Sequence, residues 1–271
     1  MHMPPSAADK HFHARILERR DLSTDLWLLR LDPGSPFEFR AGQYATLGFE
    51  RDGQRTERAY SIVSSPYEKF LEFFLELVPD GGLTPYLHTL RVGDTLLCRK
   101  IAKGRFTLDL RSGRTHHLLV STVTGIAPFV SYVRTLYRDW KSGNSAMPGT
   151  HKLYCLQGAS RSWEFGYREE LGKVAAEAPW FKYVPTVSRP GEDPNWAGET
   201  GRADDRLRKY IELWGLQSQE TTAYLCGHPH MIENARGILE TAGLKKDAIF
   251  QELYFQPGKG TAPGLADSAA S

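Results

Sequence analysis

The feature that most limits what this chain can become is a change of texture at Arg111-Ser112-Gly113-Arg114. Upstream, short β-like runs follow one another at 27–31, 44–49, 60–63 and 71–78. They are punctuated by Asp32-Pro33-Gly34, Arg51-Asp52-Gly53, Ser65-Pro66 and Pro79-Asp80-Gly81-Gly82, where Gly and Pro supply the backbone angles that turns need. Evenly spaced short strands predict a small antiparallel barrel. One helix over 83–90 interrupts it, with Thr84 read as the N-cap and Pro85 at the first helical position. Downstream, strand candidates at 117–121, 152–156, 181–187, 222–226 and 249–254 alternate with helix candidates at 127–140, 164–177, 203–214 and 229–242. Such alternation predicts a parallel sheet with helices on both faces and ligands at the carboxyl ends of its strands.

The expected fold class is thus a β barrel plus an α/β unit. The 271 residues are enough for two cores of roughly 110 to 150 residues each. The expected division is a disordered 1–10, a barrel over 11–112, a nucleotide-binding domain over 113–255 and a flexible tail over 256–271, rich in Gly, Pro, Ala and Ser. A net charge of +2 is too mild to demand a nucleic-acid partner. No apolar run approaches the ~20 residues of a bilayer span, and 1–6 lacks the basic and apolar parts of an export signal, so the expected address is the cytoplasm without membrane insertion. Cys98, Cys155 and Cys226 are the only cysteines and lie far apart, which argues against a disulfide framework or an iron–sulfur cluster in this chain.

Four groups of residues carry recognisable chemistry. In Arg58-Ala59-Tyr60-Ser61, strand alternation puts Arg58 and Tyr60 on one face and Ala59 and Ser61 on the other. An arginine fork suits a diphosphate, an aromatic ring two positions on can pack on a planar heterocycle, and a hydroxyl beside it can reach a ring nitrogen. An ordinary edge strand fits the same four residues. Thr124-Gly125-Ile126-Ala127-Pro128 falls where a strand meets a helix, a junction whose free N–H groups attract phosphate. A tight turn needing a small residue also fits, and Gly-x-Gly-x-x-Gly is absent. Arg161, Arg189 and Arg202 follow strands or open a helix in the second half, where guanidinium groups could hold a phosphate. Cys226, His228 and His230 crowd five positions at a strand-to-helix turn with no fourth ligand nearby, so no metal is expected.

Taken in order from His11 to Phe255, these motifs resemble the bacterial branch of the ferredoxin/flavodoxin–NADP reductase family. The resemblance implies an antiparallel FAD-binding barrel followed by a Rossmann-like NADP-binding domain, with FAD and NADP(H) as cofactors. It places Arg58 at the FAD diphosphate, Tyr60 on the isoalloxazine and Ser61 at flavin N5, with Ala59 between them. Phe74, Leu75, Glu76 and Leu77, then Gly82, Leu83 and Thr84, resemble the strand and helix start that bracket the FAD diphosphate. Thr122 and Gly125 look like the turn facing the NADP diphosphate and nicotinamide, while Thr124 approaches the flavin. Val123 stands where the family often has glycine. Ala159, Ser160 and Arg161, then Ser188 and Arg189, and Arg202 resemble the NADP phosphate site, although the family arginine aligns with Ser160 rather than Arg161. Cys226 and Gly227 are implied beside the nicotinamide and flavin. In Glu252-Leu253-Tyr254-Phe255, the resemblance makes Tyr254 and Phe255 covers of the FAD rings and Glu252 a proton-handling or nicotinamide-orienting carboxylate.

The implied reaction is hydride transfer between nicotinamide C4 and flavin N5, then one-electron exchange with ferredoxin or flavodoxin, with Ser61, Cys226, Glu252 and Tyr254 as catalytic candidates. Lys100, Lys103 and Arg105 are candidates for a basic patch that steers an acidic carrier to the enzyme, expected to be a monomer or weak oligomer. Two other readings remain open: a flavin-binding electron-transfer or sensor module without NADPH turnover, and an iron–sulfur-free reductase component of an oxygenase.

Overall fold

A computed structural model describes residues 10–144 and 149–253. The expectations for 1–9, 254–271 and the ring covers Tyr254 and Phe255 lie outside the described residues. The first half forms a six-stranded antiparallel sheet, ordered β4-β3-β6-β1-β2-β5. Its strands are β1 (His11–Asp21), β2 (Leu26–Asp32), β3 (Tyr44–Arg51), β4 (Gln54–Ser61), β5 (Leu71–Glu76) and β6 (Thr95–Arg99). Just past β4 the chain reaches both edges of this sheet. Ile62 N–H donates to Gln43 O at 3.0 Å and Val63 N–H donates to Glu72 O at 2.8 Å, closing the sheet into a barrel.

One helix, α1 (Thr84–Thr89), interrupts the strands. It starts at Thr84, one residue before Pro85, the expected first helical position. Leu83 occupies the N-cap position, and Thr84 lies inside the helix with its hydroxyl turned back to Val78, accepting from the amide at 3.0 Å and donating to the carbonyl at 3.1 Å. A threonine that braces the preceding loop cannot also cap the helix.

The second half is a six-stranded sheet ordered β10-β9-β8-β7-β11-β12, with every pairing parallel. Its elements are β7 (His116–Thr122), α2 (Ala127–Lys141), β8 (Lys152–Ala159), α3 (Arg168–Glu177), β9 (Phe181–Val187), β10 (Glu199–Thr200), α4 (Ala203–Leu213), β11 (Thr221–Gly227), α5 (Pro229–Thr241) and β12 (Ile249–Leu253). Strand order runs outward from β7 to β8 and β9, then jumps back across β7 to β11. A crevice opens at that reversal, outside the carboxyl ends of β7 and β11. Helix α3 begins four residues later than the 164–177 pattern suggested, because 162–164 form a separate short turn.

Two strands explain how the halves join. In β2 the alternate residues Trp27, Leu29 and Leu31 fill the barrel, while Leu26 and Leu28 face a second apolar cluster with Phe129, Val130 and Val133 of α2. In β5, Leu71, Phe73 and Leu75 point inward and Phe74 joins the α2 cluster. The unbroken apolar runs of β2 and β5 therefore reflect burial on both faces, one inside the barrel and one beneath α2. Among the described residues no helix is long and apolar enough to cross a membrane.

Candidate active site at the junction of the two sheets

Strand β4 reaches the junction as the second arm of a hairpin whose turn, Asp52-Gly53, has φ of 53° and 73° at its two residues. Arg58 is exposed, Tyr60 packs against the barrel core and Ser61 is only 7% exposed. Burial pushes the Tyr60 phenol up, with the nearby Arg58 charge opposing it. Arg58 faces the loop before α1: a Cβ added at Gly82 would sit 3.6 Å from Arg58 Nη2 and 3.5 Å from Thr56 Cγ2. Gly82 thus lies beside the guanidinium, with the loop backbone and Arg58 on the same side of the barrel. Leu75 and Leu83 are buried in the barrel, Phe74 is buried beneath α2, Leu77 N–H donates to Asp25 O at 2.7 Å, and Glu76 is exposed.

Ser61 Oγ donates to the Glu252 carboxylate, 191 residues away on β12. Glu252 is opposite Cys226 in the β11–β12 register, and Cys226 is opposite Ser121 in the β11–β7 register. Three of the four catalytic candidates, Ser61, Cys226 and Glu252, thus come together from both halves of the chain. Enclosure raises the Glu252 pKa from its ordinary value, and the Ser61 hydrogen bond partly offsets the rise.

The carboxyl ends of β7 and β11 are knotted together. Gly227 has φ of 129°, and its own Cβ would fall 2.3 Å from Thr122 Oγ1, an atom that accepts the His228 N–H at 2.9 Å. A Cβ on Gly125 would fall 2.3 Å from the Cys226 carbonyl oxygen. Only glycine fits at either point. Between them Val123 has φ of 40°, in the left-handed region where a β-branched residue is strained by about 1–3 kcal/mol. The glycine expected from the resemblance would sit there without that strain. Thr124 is buried at 6% exposure directly after it.

Beside this knot lies a cleft of about 500 Å³, lined by the β1–β2 turn from Ser23 to Leu26 and by Glu76, Val123, Ser160, Arg161, Trp163 and Glu164. Although the Glu76 residue is exposed at its surface, its carboxyl end loses water inside the cleft, and that desolvation together with the nearby Asp25 and Glu164 carboxylates raises its pKa. The loops after β8 and β9 are laced together, with Ser188 N–H donating to Ala159 O at 2.9 Å and Arg189 N–H to Ser160 O at 3.0 Å. The Ser160 amide donates to Glu164 at 2.8 Å. Arg161 and Arg189 both meet Glu192, whereas Arg202, at the N-cap of α4, lies 3.5 Å from Asp204. Sequence reasoning missed Asp25, Trp163, Glu164 and Glu192. Trp163 alone gave a signal, as a large aromatic in a polar loop that remains 48% exposed. Among the described residues no group of His, Cys, Asp and Glu is arranged to hold a metal, and His228 is occupied in accepting His230 N–H at 3.2 Å.

Comparison with known proteins assigns this geometry. Residues 13–107 match the oxidoreductase FAD-binding domain and residues 119–237 the oxidoreductase NAD-binding domain. A solved ferredoxin NADP+ reductase from Neisseria gonorrhoeae with bound FAD and NADP superposes with a TM-score of 0.77 at 24% identity, covering 91% of this chain and 99% of the other, which fixes the fold. The phenol hydroxylase P5 protein of Acinetobacter pittii is 30% identical over 254 residues, covering 93% of this chain and 67% of that protein. The ferredoxin–NADP reductase of Pseudomonas aeruginosa is 32% identical over 248 residues, 85% of this chain and 90% of the relative. Similarity spanning both sheets and nearly the whole relative, with the strand order and the joining strands in place, means that the chain belongs to the ferredoxin–NADP reductase family.

Proposed function

We propose that the protein binds FAD between its two domains and passes electrons between NADP(H) and a ferredoxin or flavodoxin. The Ser61–Glu252 contact carries this reading, because it draws the barrel strand and the last strand of the parallel sheet to one point at the mouth of the crevice. The residues suit the cofactors. Arg58, beside the Gly82 loop, would hold the FAD diphosphate, and Tyr60 would lie along its ring system. The glycines at 125 and 227 let backbone approach where a nicotinamide would enter, and Arg161, Arg189 and Arg202 surround the place for phosphates. Bound FAD would supply two-electron exchange with the nicotinamide and one-electron exchange with the carrier. The protein's part is to align the two rings, keep water out and hold a hydrogen-bond donor, Ser61, with a proton reserve behind it in Glu252.

A carrier would approach beside β3. Tyr44 pairs with Ser61 across β3–β4, and on its other side exchanges backbone hydrogen bonds with Lys103 at 2.9 and 3.0 Å. Exposed Lys103 thus stands one strand from Ser61, with exposed Lys100 and Arg105 near it in sequence, and their charge favours an acidic partner.

The similarity to the phenol hydroxylase P5 protein favours one rival, a reductase serving an oxygenase. Cys98, Cys155 and Cys226 are each buried in separate parts of the two cores, which leaves no clustered thiolates here for an iron–sulfur centre. Anaerobic addition of NADPH to the yellow protein should bleach its flavin absorption rapidly, and the reduced protein should pass electrons to ferredoxin or flavodoxin. Absence of bleaching would identify a flavin module without NADPH turnover. Bleaching without reduction of either carrier would favour the oxygenase reading.

A further inference from the structure

Arg161 and Arg189 stand two residues beyond the ends of adjacent parallel strands, β8 and β9, so their guanidinium groups share one edge of the crevice. They converge on the Glu192 carboxylate, and Arg161 Nη1 also donates to Glu164 at 3.3 Å. Glu192 Oε2 accepts from Arg161 Nε at 2.8 Å and also from Arg161 Nη2, while Glu192 Oε1 lies 3.5 Å from Arg189 Nη1. The carboxylate is delivered by a short turn, Pro190–Glu192, that closes when Glu192 N–H donates to Arg189 O at 3.0 Å. The next residue ties the turn to the opposite loop, since Asp193 accepts the Ser162 N–H at 2.8 Å. A bidentate anion therefore already sits where the two arginines would grip a phosphate.

We propose that Glu192 occupies the 2′-phosphate position of the cofactor site, is displaced when NADP(H) binds, and so sets the affinity for the phosphorylated cofactor. The inference rests on the reading of Arg161 and Arg189 as phosphate ligands. A 2′-phosphate carries about two negative charges and three acceptor oxygens, so it outcompetes the Glu192 carboxylate for the two guanidinium groups it bridges, while Glu164 can keep its contact with Arg161. A ribose 2′-hydroxyl carries no charge and cannot displace it. The carboxylate thus lowers affinity for the phosphorylated cofactor to a working level, while binding of the unphosphorylated cofactor, which leaves the Glu192 pairs intact, does not depend on it. Arg189 and Glu192 are exposed and Arg161 is half-buried, so solvent screens the contacts and keeps them weak enough to exchange.

The test is calorimetric titration of the FAD-loaded protein with 2′,5′-ADP and with 5′-AMP at low ionic strength. Glu192→Gln should tighten 2′,5′-ADP by about three- to tenfold, Glu192→Asp should tighten it less, and 5′-AMP should be unaffected by either. Unchanged 2′,5′-ADP affinity in Glu192→Gln would overturn the proposal. So would weaker 5′-AMP binding, which would mean that Glu192 holds a ribose hydroxyl. Arg161→Ala and Arg189→Ala separate the two levels. If both leave 2′,5′-ADP affinity intact, the phosphate-site reading itself fails; if they weaken it while Glu192→Gln changes nothing, only the role of Glu192 fails.

Discussion

Ser61 and Glu252 illustrate what a single residue contributes at the junction. Ser61 was legible because it sits in a motif of four contiguous residues, but nothing local announced that its hydroxyl would meet a carboxylate 191 positions away. Removing that hydroxyl leaves Arg58 untouched, so Ser61→Ala should retain FAD while flavin reduction by NADPH slows on the order of a hundredfold in anaerobic stopped-flow measurements. Loss of FAD instead would make Ser61 a structural residue. Glu252 has a pH signature of its own. Its folded pKa is raised above 4.5, so the folded state holds the proton more tightly than the unfolded chain. The resulting stability is fully present below pH 4.5 and is lost as pH rises through the raised value. Glu252→Gln should remove this dependence, seen as a flatter stability-against-pH curve in denaturant titrations; identical curves would mean that Glu252 ionises freely.

At the scale of elements, β4 shows why polar strands hide. Gln54-Arg55-Thr56-Glu57 lacks the apolar alternation that marks a strand, and only Asp52-Gly53 signalled the hairpin. The strand is held at the sheet edge by charge as well as by its ladder with β3. Glu57 accepts from Arg99 Nε of β6 at 3.0 Å and meets His11 Nε2 of β1 at 2.6 Å, fastening three strands. Hydrogen bonding from Arg99, helped by His11, holds the Glu57 carboxyl at about 2. A depressed carboxylate stabilises the fold above its ordinary 4.5 and ceases to do so as pH falls through about 2. Glu57→Ala should therefore lower stability by about 1 kcal/mol near neutral pH, and the difference from the parent protein should shrink as pH falls toward 2. A difference that persists unchanged in acid would assign the loss to packing.

The whole molecule depends on keeping its halves in fixed relation, and one buried carboxylate governs this. Glu72 of β5 is 1% exposed and accepts from Arg30 Nε at 2.5 Å on its own side, and from Arg134 Nη2 at 3.1 Å and Tyr167 Oη at 2.8 Å across the interface. Arg134 is also held by Glu170 of α3, so the network spans β2, β5, α2 and α3. Burial works against the charge, but the two arginines and the tyrosine outweigh it and hold the Glu72 pKa low. Breaking a buried network by removing one partner is far more disruptive than losing a surface pair. Glu72→Gln should destabilise by about 3–5 kcal/mol in urea and slow flavin reduction through misalignment of the Ser61–Glu252 junction. Normal reduction at saturating NADPH would show that the interface tolerates the loss.

The sequence by itself determined the fold class and the order of its two parts, because those depend on local periodicity, turn chemistry and short motifs that stay contiguous in the chain. It also marked Ser61, Gly125, Gly227 and the arginines after β8 and β9, each set off by its neighbours. Only the tertiary structure decided that Ser61, Cys226 and Glu252 meet, that Glu72 lies across an interface, and that Arg161 and Arg189 share one carboxylate. Those facts follow from strands distant in sequence arriving at one edge. Long-range register and charge pairing leave no periodic trace in the chain, and they exist only once the two sheets have packed beneath α2.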